Sequence, residues 1–521
     1  MSEELSLPLH EDCHSPAQET RFGTLGLRTP QAPNQLQGWV QYGTVALGDL
    51  PLRVTPHTIY LIGGFEMDTR IIGIDLAVKA AHKAIVLDQA SNTFASKLLT
   101  FHTDPADLHH LLATARVGAS DDARMVTVLE ATGMAWYSVG IYLHHHGVEV
   151  YRVNGQQVAD LRRVYQRHAK SDRIDARVMA RLPLLCPECL HRCHFPSGPQ
   201  MTLQRACREV ARLTDQVAAS KNRILATDQF AWLGLSNILP PYSAAAFWVR
   251  ANYYDPWRVC EAGEVSIAQA WKAAATEQPA DIAWITRLVQ RAERVIALYG
   301  DPHCLDYAQL QASLQREQAR LSQTEEQAHR LRLETVRPLY RQLHPQRYLE
   351  TIQGIGQDSA AVYIAFVGDI LRFPSLRDFR GWSGLIPFSR QSANAQAHGL
   401  HITKAGPDLI KATAFLNAQV ARLWDPQIAA IYYKQMMALG KHHLQAVCAC
   451  ATHLLDRVYT ILRQNRPYEL RDVDGTPVDK RQARRICLEH YRVPDEVRRR
   501  NNYRVRKARR QKRLEKRPRE R

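Results

Sequence analysis

The sequence predicts a mixed α/β domain followed by a mainly helical remainder. Two apolar runs, Ile71–Leu76 and Met125–Glu130, carry an acid at or near their end and have the length of buried strands. From about residue 201 onward the apolar residues recur at helical spacing instead. With 521 residues, the chain is long enough for two to four domains with cores of their own.

The first domain is predicted from five strands and two helices. The strands are predicted at Ile71–Leu76, Ala84–Leu87, Thr93–Phe101, Met125–Glu130 and Val148–Val153. One helix is predicted over Asp104–Arg116, and Thr132 and Gly147 can cap and stop the other. Three antiparallel strands followed by alternating helix and strand are typical of a mixed sheet.

Four acids in this domain are candidate functional residues. Asp75 and Glu130 lie at the ends of two strands that could be neighbours, and Asp172 and Asp175 lie three residues apart on one helix face. We expect this helix to pack across the ends of the strands. Two carboxylates about 4 Å apart repel by about 4 kcal/mol at an effective dielectric of about 20. The fold therefore keeps the Asp172/Asp175 pair on a solvated helix face or places a cation between them, and both interpretations stay open.

The middle of the chain is predicted to be helical. Residues 201–226 form an amphipathic pattern, and residues 228–300 are helical with aromatic and proline breaks. The residues at a coiled-coil spacing of four, seven, seven and three are Leu310, Leu314, Leu321, Ala328 and Leu331. This seam is explained by a helical hairpin, by a dimerisation arm or by an ordinary buried helix.

Two segments further on have the composition of phosphate-binding loops. Thr351–Gly356 contains a Gly354-x-Gly356 turn between helices, where backbone N–H groups can approach a phosphate. Residues 379–407 form a loop rich in hydroxyl side chains before a helix N-terminus, which favours anions. Ser383, Ser389 or Ser392 could attack a phosphodiester if activated, and a surface loop without chemistry is the alternative.

The positive charge is concentrated at the C-terminus. The net charge is +17, and residues 498–521 contain 14 Lys/Arg against two Glu, which leaves +5 for the other 497 residues. Such a segment favours a polyanion, with nucleic acid as the expected partner and strong salt dependence. A disordered solubilising tail is the alternative.

Composition favours a cytoplasmic globular protein. Apolar residues make up 45% of the chain, and no run approaches the roughly 18 apolar residues of a membrane span. Ten scattered cysteines do not predict a disulfide framework. Cys186-x-x-Cys189 has zinc-ligand spacing, but no second ligand pair follows at the usual distance. Residues 1–68 are expected to be a flexible leader, or an over-called start with Met67 as the native initiator.

Together these segments resemble the insertion-sequence transposases that pair a RuvC-like DEDD domain with a serine-bearing domain and are guided by a bridge RNA. The resemblance covers about residues 70–475. The stretches that carry it are Gly73-Ile-Asp75, Leu129-Glu130-Ala-Thr-Gly133, Lys170-Ser-Asp172-Arg-Ile-Asp175-Ala176, Ile352-Gln-Gly354-Ile-Gly356, Gly384-Leu-Ile-Pro387 with Gln391-Ser392, and Ile402-Thr-Lys404-Ala-Gly406.

The resemblance implies a domain plan. An RNase H/RuvC-like domain at 69–185 precedes a helical, coiled-coil region at 186–335. A mainly α serine-bearing transposase domain with a helix-hairpin-helix-like segment follows at 336–475, and a basic tail occupies 476–521.

The same resemblance implies roles for individual residues. Asp75, Glu130, Asp172 and Asp175 would be the four catalytic acids and metal ligands, and Ser392 the nucleophile. Candidate nucleic-acid contacts are Lys170, Arg173, Arg177, Gly354, Gly356 and Lys404. The chain departs from the family in having Ala393 after the serine, Pro407 after the Lys-x-Gly turn, and Ser171 where a threonine is usual.

The implied reaction is DNA strand transfer through a covalent phosphoserine. Four carboxylates without clustered soft ligands suit Mg²⁺ or Mn²⁺. The expected partners are the element ends, target DNA, a guide RNA and further copies of the chain in a dimer or tetramer. A metal-only RuvC-type nuclease and a non-catalytic nucleic-acid-binding protein are the rival hypotheses.

Overall fold

A mixed sheet forms the first part of the protein. The computed structural model describes residues 68–130, 133–165, 171–187, 190–274, 282–388, 391–392, 395–396, 400–403 and 405–515. Within these ranges the sheet has seven strands: β1 Thr69–Asp75, β2 His82–Asp88, β3 Thr93–Phe94, β4 Leu99–Phe101, β5 Arg124–Glu130, β6 Glu149–Val153 and β7 His191–Arg192.

The strand order is β3-β2-β1-β5-β6-β7, and β4 also pairs with β2. Strands β1, β5 and β6 are parallel, whereas β2 is antiparallel to β1 and β7 is antiparallel to β6. The predicted mixed sheet is therefore confirmed, and its RuvC-like identity stays a prediction. The expected strand Thr93–Phe101 is two short strands, because Ser96 leaves the ladder and its Oγ accepts a hydrogen bond from Val86 N at 3.0 Å.

Helices cover both faces of the sheet. Ile72, Ile74 and Leu129 pack in one cluster with residues of α1 and α2, whereas Ile71 and Val126 pack with α4 on the opposite face. This alternation follows from the period of two along a strand. The helices of this domain are α1 Pro105–Arg116, α2 Ala135–His145, α3 Gly155–Tyr165 and α4 Asp172–Leu185.

A helical arm follows the sheet domain. Its helices are α5 Gly198–Ala231, α6 Ala244–Asn252, α7 Pro256–Ala274, α8 Ala283–Tyr299 and α9 Tyr307–Leu331. Helix α9 continues through a π-helical turn at Arg332–Val336 into α10 Arg337–Leu343. A buried ion pair between Arg250 and Asp228, at 2.6 Å, joins α6 to α5.

Helices α5 and α9 form an antiparallel hairpin. Tyr307 at the start of α9 donates a hydrogen bond to Ala231 O at 3.1 Å, and Lys221 pairs with Glu325 at 2.8 Å. The seam residues Leu314, Leu321 and Ala328 are buried within this chain. The structure thus favours the helical-hairpin interpretation of the seam, and the dimerisation arm stays a prediction.

A second helical core forms the C-terminal part. The helices are α11 Gln357–Val367, α12 Leu376–Ser383, α13 Asp408–Ala421, α14 Pro426–Tyr433, α15 His443–Gln464, α16 Lys480–His490 and α17 Asp495–Glu515. Two short strands, β8 Gln391–Ser392 and β9 Ala395–Gln396, pair between α12 and α13. Helix α5 contacts this core, since Gln200 and Gln204 both donate side-chain hydrogen bonds to Ala365 O, at 3.1 and 2.8 Å.

In the part of the chain that the structure describes, short 3-10 helices include Leu235–Asn237, Tyr348–Thr351 and Ile370–Arg372. A further π-helical turn, Lys434–Ala438, ends α14. Among the helices of the described ranges, none combines the length and the apolarity that crossing a bilayer requires.

Candidate active site

Asp75 and Glu130 end two neighbouring parallel strands. The last register pair of β1 and β5 is Ile74 with Leu129, so the two acids follow as the next pair. Residues two and four positions earlier, such as Ile71 and Val126, face α4, and alternation places both acids on that same face. Their Cα atoms are therefore about 4.8 Å apart, the usual spacing of adjacent strands. The prediction that these two strands are neighbours is therefore confirmed.

Helix α4 lies directly against β1 at Gly73. A methyl group at Gly73 would lie 2.1 Å from Ala176 O and 2.5 Å from Ala180 N, so only a hydrogen fits between strand and helix. Leu184, late in α4, packs in the cluster of Ile71, near the start of the strand. The first turn of α4 therefore points toward the strand's carboxyl end, where Asp75 lies.

This contact brings Asp172 to the same edge of the sheet. Asp172 precedes Ala176 by four residues, an advance of about 6 Å along the helix. Asp75 follows Gly73 by two residues, an advance of about 6.7 Å along the strand. The two advances match, and Asp172 is exposed at this edge. Helix α4 therefore lies along this face of the sheet, and its first turn reaches the carboxyl ends of the strands.

Asp175 is held by an arginine that the sequence analysis did not single out. Arg162 Nη1 lies 2.7 Å from Oδ1 and 2.8 Å from Oδ2 of Asp175. The side chains are 19% and 10% exposed, respectively, so the pair is largely shielded from water. Arg162 comes from α3, a helix that the sequence analysis did not assign, and no motif marked it in advance. Of the two aspartates of α4, one is thus exposed and the other is paired.

Glu130 lies beside the first residue of α3. A methyl group on Gly155 would lie 2.6 Å from Glu130 Oε1. Asn154 opens this helix, because its Oδ1 accepts hydrogen bonds from Gln156 N at 2.6 Å and Gln157 N at 3.3 Å. A helix N-terminus favours an anion. Gly155 therefore leaves room for the Glu130 carboxylate at a position where negative charge is stabilised.

The carboxylates offer the hard oxygen donors that Mg²⁺ and Mn²⁺ prefer. Asp75 and Glu130 end adjacent strands and Asp172 lies at the same edge, so these three acids are the candidates for holding a divalent cation. Asp175 is neutralised by Arg162. Within the described part of the chain, no group of three or more His, Cys, Asp or Glu side chains is arranged to hold a metal. The four-carboxylate metal centre stays a prediction.

The cationic candidates of this region differ in their surroundings. Arg173 is exposed on the first turn of α4. The guanidinium of Arg177 lies 4.9 Å from the ring centre of Phe94, with Arg181 at 4.7 Å from the same ring. Burial and then the nearby Arg173 and Arg181 lower the pKa of Arg177. Lys170 lies outside the described residues.

The predicted nucleophile, Ser392, lies on a β-hairpin. At the base of this hairpin the two chain segments run antiparallel, since Thr403 N donates to Ile386 O at 2.9 Å and Phe388 N donates to His401 O at 2.8 Å. Farther out, Ser392 pairs with Ala395. The structure describes the backbone alone at Ser392.

Two glycines fix the base of this hairpin. Gly384 has φ 70°, and a methyl group there would lie 2.1 Å from Ala405 O. Gly406 has φ 68°, and a methyl group there would lie 1.9 Å from Trp382 O. Both the left-handed backbone and the close approach require glycine. Two motifs that the sequence analysis quoted separately, around Gly384 and Gly406, are therefore in contact.

The structure separates the three candidate serines. Ser383 is fully buried, and its Oγ donates to Arg380 O at 2.7 Å while accepting from Leu385 N at 3.3 Å. These bonds make it a structural residue of the α12 C-terminus. Ser389 and Lys404 lie outside the described residues. Ser392 keeps its place as the candidate nucleophile.

The Gly354-x-Gly356 turn packs partly against the protein itself. A methyl group at Gly354 would lie 2.5 Å from Asn417 O, and Asn417 Nδ2 donates to Gly354 O at 2.5 Å. Gly354 is thus required for contact with α13. Gly356 precedes α11 and has open space where a side chain would lie. Of the two, Gly356 has room for a phosphate, and the predicted contacts stay predictions.

The cysteine-rich segment does not favour zinc. Cys186 is disulfide-bonded and has no thiolate to offer, and Cys189 lies outside the described residues. Burial raises the pKa of Cys193 to about 11, which disfavours its thiolate as well.

Two family models match the chain. A model of IS110-type DEDD transposase domains, described as transposase, matches residues 72–229. A model described as transposase of the IS116/IS110/IS902 family matches residues 346–433. The first match contains Asp75, Glu130, Asp172 and Asp175, and the second contains Ser392. The chain therefore contains two segments that match transposase models of the IS110/IS116 type.

Curated relatives agree with these domains. The chain is 32% identical to the uncharacterized 43.6 kDa protein of insertion element IS110 from Streptomyces coelicolor. The match extends over 123 residues, which are 24% of this chain and 30% of that relative. It is 27% identical over 128 residues to the pilin gene-inverting protein of Moraxella bovis, covering 25% and 40%.

A third relative is matched along most of its length. The uncharacterized 44.8 kDa protein of insertion element IS116 from Streptomyces clavuligerus is 23% identical over 401 residues, which is 76% of this chain and 95% of that protein. The first two relatives, in contrast, are matched over less than half of their own length.

Proposed function

We propose that this protein is a transposase or recombinase that cuts and rejoins DNA to move an insertion sequence. The observation that carries the proposal is the presence, on one chain, of both transposase domains with Asp75 and Glu130 adjacent in the first. A pilin gene-inverting relative supports DNA rearrangement as the reaction class. Adjacent carboxylates are unfavourable beside a phosphate backbone unless a cation accompanies them.

The carboxylate edge would bind and orient the scissile phosphate. Asp75, Glu130 and Asp172 would hold a divalent cation, which supplies charge neutralisation of the phosphate and of the leaving oxygen when bound. Arg162 would hold Asp175 in place, because its guanidinium contacts both carboxylate oxygens. Gly155 would keep Glu130 aligned, since any larger residue there would displace the carboxylate.

Ser392 would supply the nucleophile. Its Oγ would form a bond to phosphorus as the bond from phosphorus to one sugar oxygen breaks. The serine proton would pass to solvent, and the released sugar oxygen would take up a proton. A sugar hydroxyl of a second strand would then attack the phosphoserine and release Ser392. One phosphodiester replaces another, so the exchange needs no nucleotide cofactor.

Target choice would come from a guide RNA that base-pairs with DNA, while the protein reads shape and backbone. Subunits of a homo-oligomer would complete each other's sites, with the carboxylates of one chain and the serine of another. Arg173, Arg177 and the segments around Lys170 and Lys404 would contact phosphates.

The test is a trapping experiment. Full-length protein is incubated with a junction DNA carrying the element ends, the flanking RNA and Mg²⁺, and is then run on a denaturing gel. We expect a protein–DNA band for the wild type and none for Ser392→Ala. Ser383→Ala is the matched control, because Ser383 is buried and hydrogen-bonded to the backbone, and we expect it to form the band.

Other outcomes would replace the proposal with its rivals. Cleavage without a covalent band in the wild type and in Ser392→Ala would establish a metal-only nuclease. A wild type that binds DNA without cleaving it, and in which Asp75→Ala and Glu130→Ala change nothing but the affinity, would establish a non-catalytic nucleic-acid-binding protein.

A further inference from the structure

The basic C-terminal segment is an anchored helix over much of its length. Helix α17 runs from Asp495 to Glu515. Asn501 is 1% exposed, and its Nδ2 donates to Met436 O at 2.9 Å and to Lys441 O at 3.2 Å. Next to it, Asn502 Oδ1 accepts a hydrogen bond from His443 N at 3.1 Å. These bonds fix the rotation of α17 on the helical core.

The fixed rotation exposes an aromatic side chain. Tyr503 is 66% exposed, although it lies only two residues beyond the buried Asn501. Two residues along a helix correspond to a rotation of about 200°, so Tyr503 lies opposite the anchored side. The described core therefore does not cover its ring.

Four exposed cations surround Tyr503. They lie at the positions that neighbour it on a helix surface, three and four residues before and after it. They are Arg499, Arg500, Arg506 and Lys507. Arg506 and Lys507 have no acidic residue within four positions along the helix. We call Tyr503 and these four residues the Tyr503 face.

This face has the chemistry of a surface for unpaired nucleotides. Cations in a row neutralise phosphates and release counterions, and they do so for any nucleic acid. An exposed aromatic ring among them offers a stacking platform, which only an unpaired base can use. A solubilising tail has no use for an aromatic ring at the centre of its charges.

We propose that the Tyr503 face binds a single-stranded or looped segment of nucleic acid, with one base stacked on Tyr503 and phosphates held by the four cations. This inference rests on the proposed function in taking the partner to be nucleic acid. It adds a specific site outside the two transposase domains. An RNA loop and an unpaired DNA strand share this chemistry, and the experiment distinguishes them.

The test measures binding of the full chain by fluorescence anisotropy without divalent metal. The three probes are an RNA hairpin with an unpaired loop, a single-stranded DNA of the loop sequence and a fully paired DNA duplex. We expect Tyr503→Ala to weaken binding of an unpaired probe by about tenfold, because stacking on one base is lost. Tyr503→Phe keeps the ring, so we expect affinity within about twofold of the wild type.

The two unpaired probes identify the source of the base. A loss confined to the RNA hairpin assigns the face to RNA, and a loss confined to the DNA strand assigns it to unpaired DNA. An equal loss on both supports a site for unpaired bases of either kind. Wild-type affinity of Tyr503→Ala for both probes, or an equal loss on the duplex, would overturn the proposal.

A charge comparison separates this face from general basicity. One double variant carries Arg506→Gln and Lys507→Gln in α17. The control double variant carries Arg287→Gln and Arg294→Gln, which removes two exposed cations from α8 instead. We expect the α17 pair to lower the salt slope of binding by about 1.4 on the single strand and the α8 pair to leave it unchanged. Equal slopes for the two pairs would contradict the assignment.

Failure of this inference is distinct from failure of the proposed function. The anisotropy experiment requires no strand cleavage, and the trapping experiment reads a covalent bond at Ser392. If the wild type formed no covalent band but Tyr503→Ala still weakened binding, the proposed function would be wrong and the Tyr503 face would still be supported.

Discussion

The two regions that carry the candidate chemistry are positioned by different means. Asp75 and Glu130 end buried strands, and a helix packed to van der Waals contact at Gly73 covers them. Ser392 lies on a hairpin at whose base Gly384 approaches Ala405 and Gly406 approaches Trp382. The carboxylate edge is therefore fixed by a whole domain core, whereas the serine is placed by a two-glycine base.

This difference matches the tasks proposed for the two regions. Carboxylates that share a cation must keep separations within a fraction of an ångström, which a packed sheet provides. A nucleophile that exchanges strands must project from the protein surface to meet a phosphate. Substitutions that disturb the sheet should therefore affect folding, and those at the outer hairpin should affect chemistry alone.

The largest expected effect comes from Gly73→Ala, on the carboxylate side. Its methyl group would lie 2.1 Å from Ala176 O, so α4 must move away from β1. We expect the free energy of unfolding to fall by about 3 kcal/mol, as overpacking against backbone cannot relax easily. Denaturant unfolding followed by circular dichroism measures it.

A glycine without neighbours provides the control. Gly198 has nothing within 4 Å of the added methyl position, so Gly198→Ala should stay within about 0.5 kcal/mol of the wild type. If Gly73→Ala were as stable as Gly198→Ala, α4 could not lie against β1 as described.

The next effect concerns the ion pair between Arg162 and Asp175. Arg162→Ala would leave a largely shielded carboxylate without its partner, and we expect a loss of about 2 kcal/mol. Adding Asp175→Asn should recover part of that loss, because the unpaired charge is removed. A double-mutant cycle measures the coupling, and a coupling near zero would show that the pair does not stabilise the edge.

A pH effect is expected on the serine side, at His443. Burial, followed by Arg498, Arg422 and His442, lowers the pKa of His443 to about 4. The unfolded chain has a histidine pKa of about 6.5, so between these values the unfolded state binds the extra proton. The contribution to stability is fully present above pH 6.5 and is lost as the pH falls toward 4.

The measurement compares wild type with His443→Gln across that window. We expect the wild type to lose about 2 kcal/mol more than the variant between pH 6.5 and pH 4, and the difference to level off below. Parallel stability curves for the two proteins would mean that His443 accepts a proton in the folded state.

Gly155→Ala is expected to change stability least, while it lowers the rate of DNA cleavage. Its methyl group would lie 2.6 Å from Glu130 Oε1, the mobile end of a side chain, so the carboxylate moves and the fold does not. We expect stability within about 0.5 kcal/mol of the wild type. Misplacing a reacting group by about 1 Å costs up to 100-fold, so DNA cleavage should fall by about tenfold or more. Unchanged cleavage would show that Glu130 need not lie where the structure places it.

The sequence predicted the sheet edge better than the surroundings of the acids. Apolar runs ending in Asp75 and Glu130 indicated strands, and the sequence analysis allowed these two strands to be neighbours, as the register of β1 with β5 shows. The Arg162 ion pair could not be predicted, because it depends on how α3 packs on α4. Likewise, Gly155 matters through Glu130, which lies 25 positions earlier in the chain.

The C-terminal helices α16 and α17 were also not predicted from the sequence. Residues 476–521 were described by charge, and helices α16 and α17 occupy much of that range. Both helices are strongly polar on average, so their charge is more conspicuous in the sequence than the apolar side of α16, where Ala483 and Cys487 are buried. The anchoring of α17 depends on Asn501, a polar residue whose partners are backbone carbonyls about 60 positions away.

The most direct test of the account identifies the residue that DNA attaches to. The covalent complex is trapped as above and digested with trypsin, and the peptide carrying the nucleotide remnant is identified by mass spectrometry. We predict the remnant on peptide 391–404 at Ser392 in the wild type, and its loss in both Ser392→Ala and Glu130→Gln. A remnant on another peptide, or a full yield of adduct in Glu130→Gln, would contradict the claim that the two regions act in one reaction.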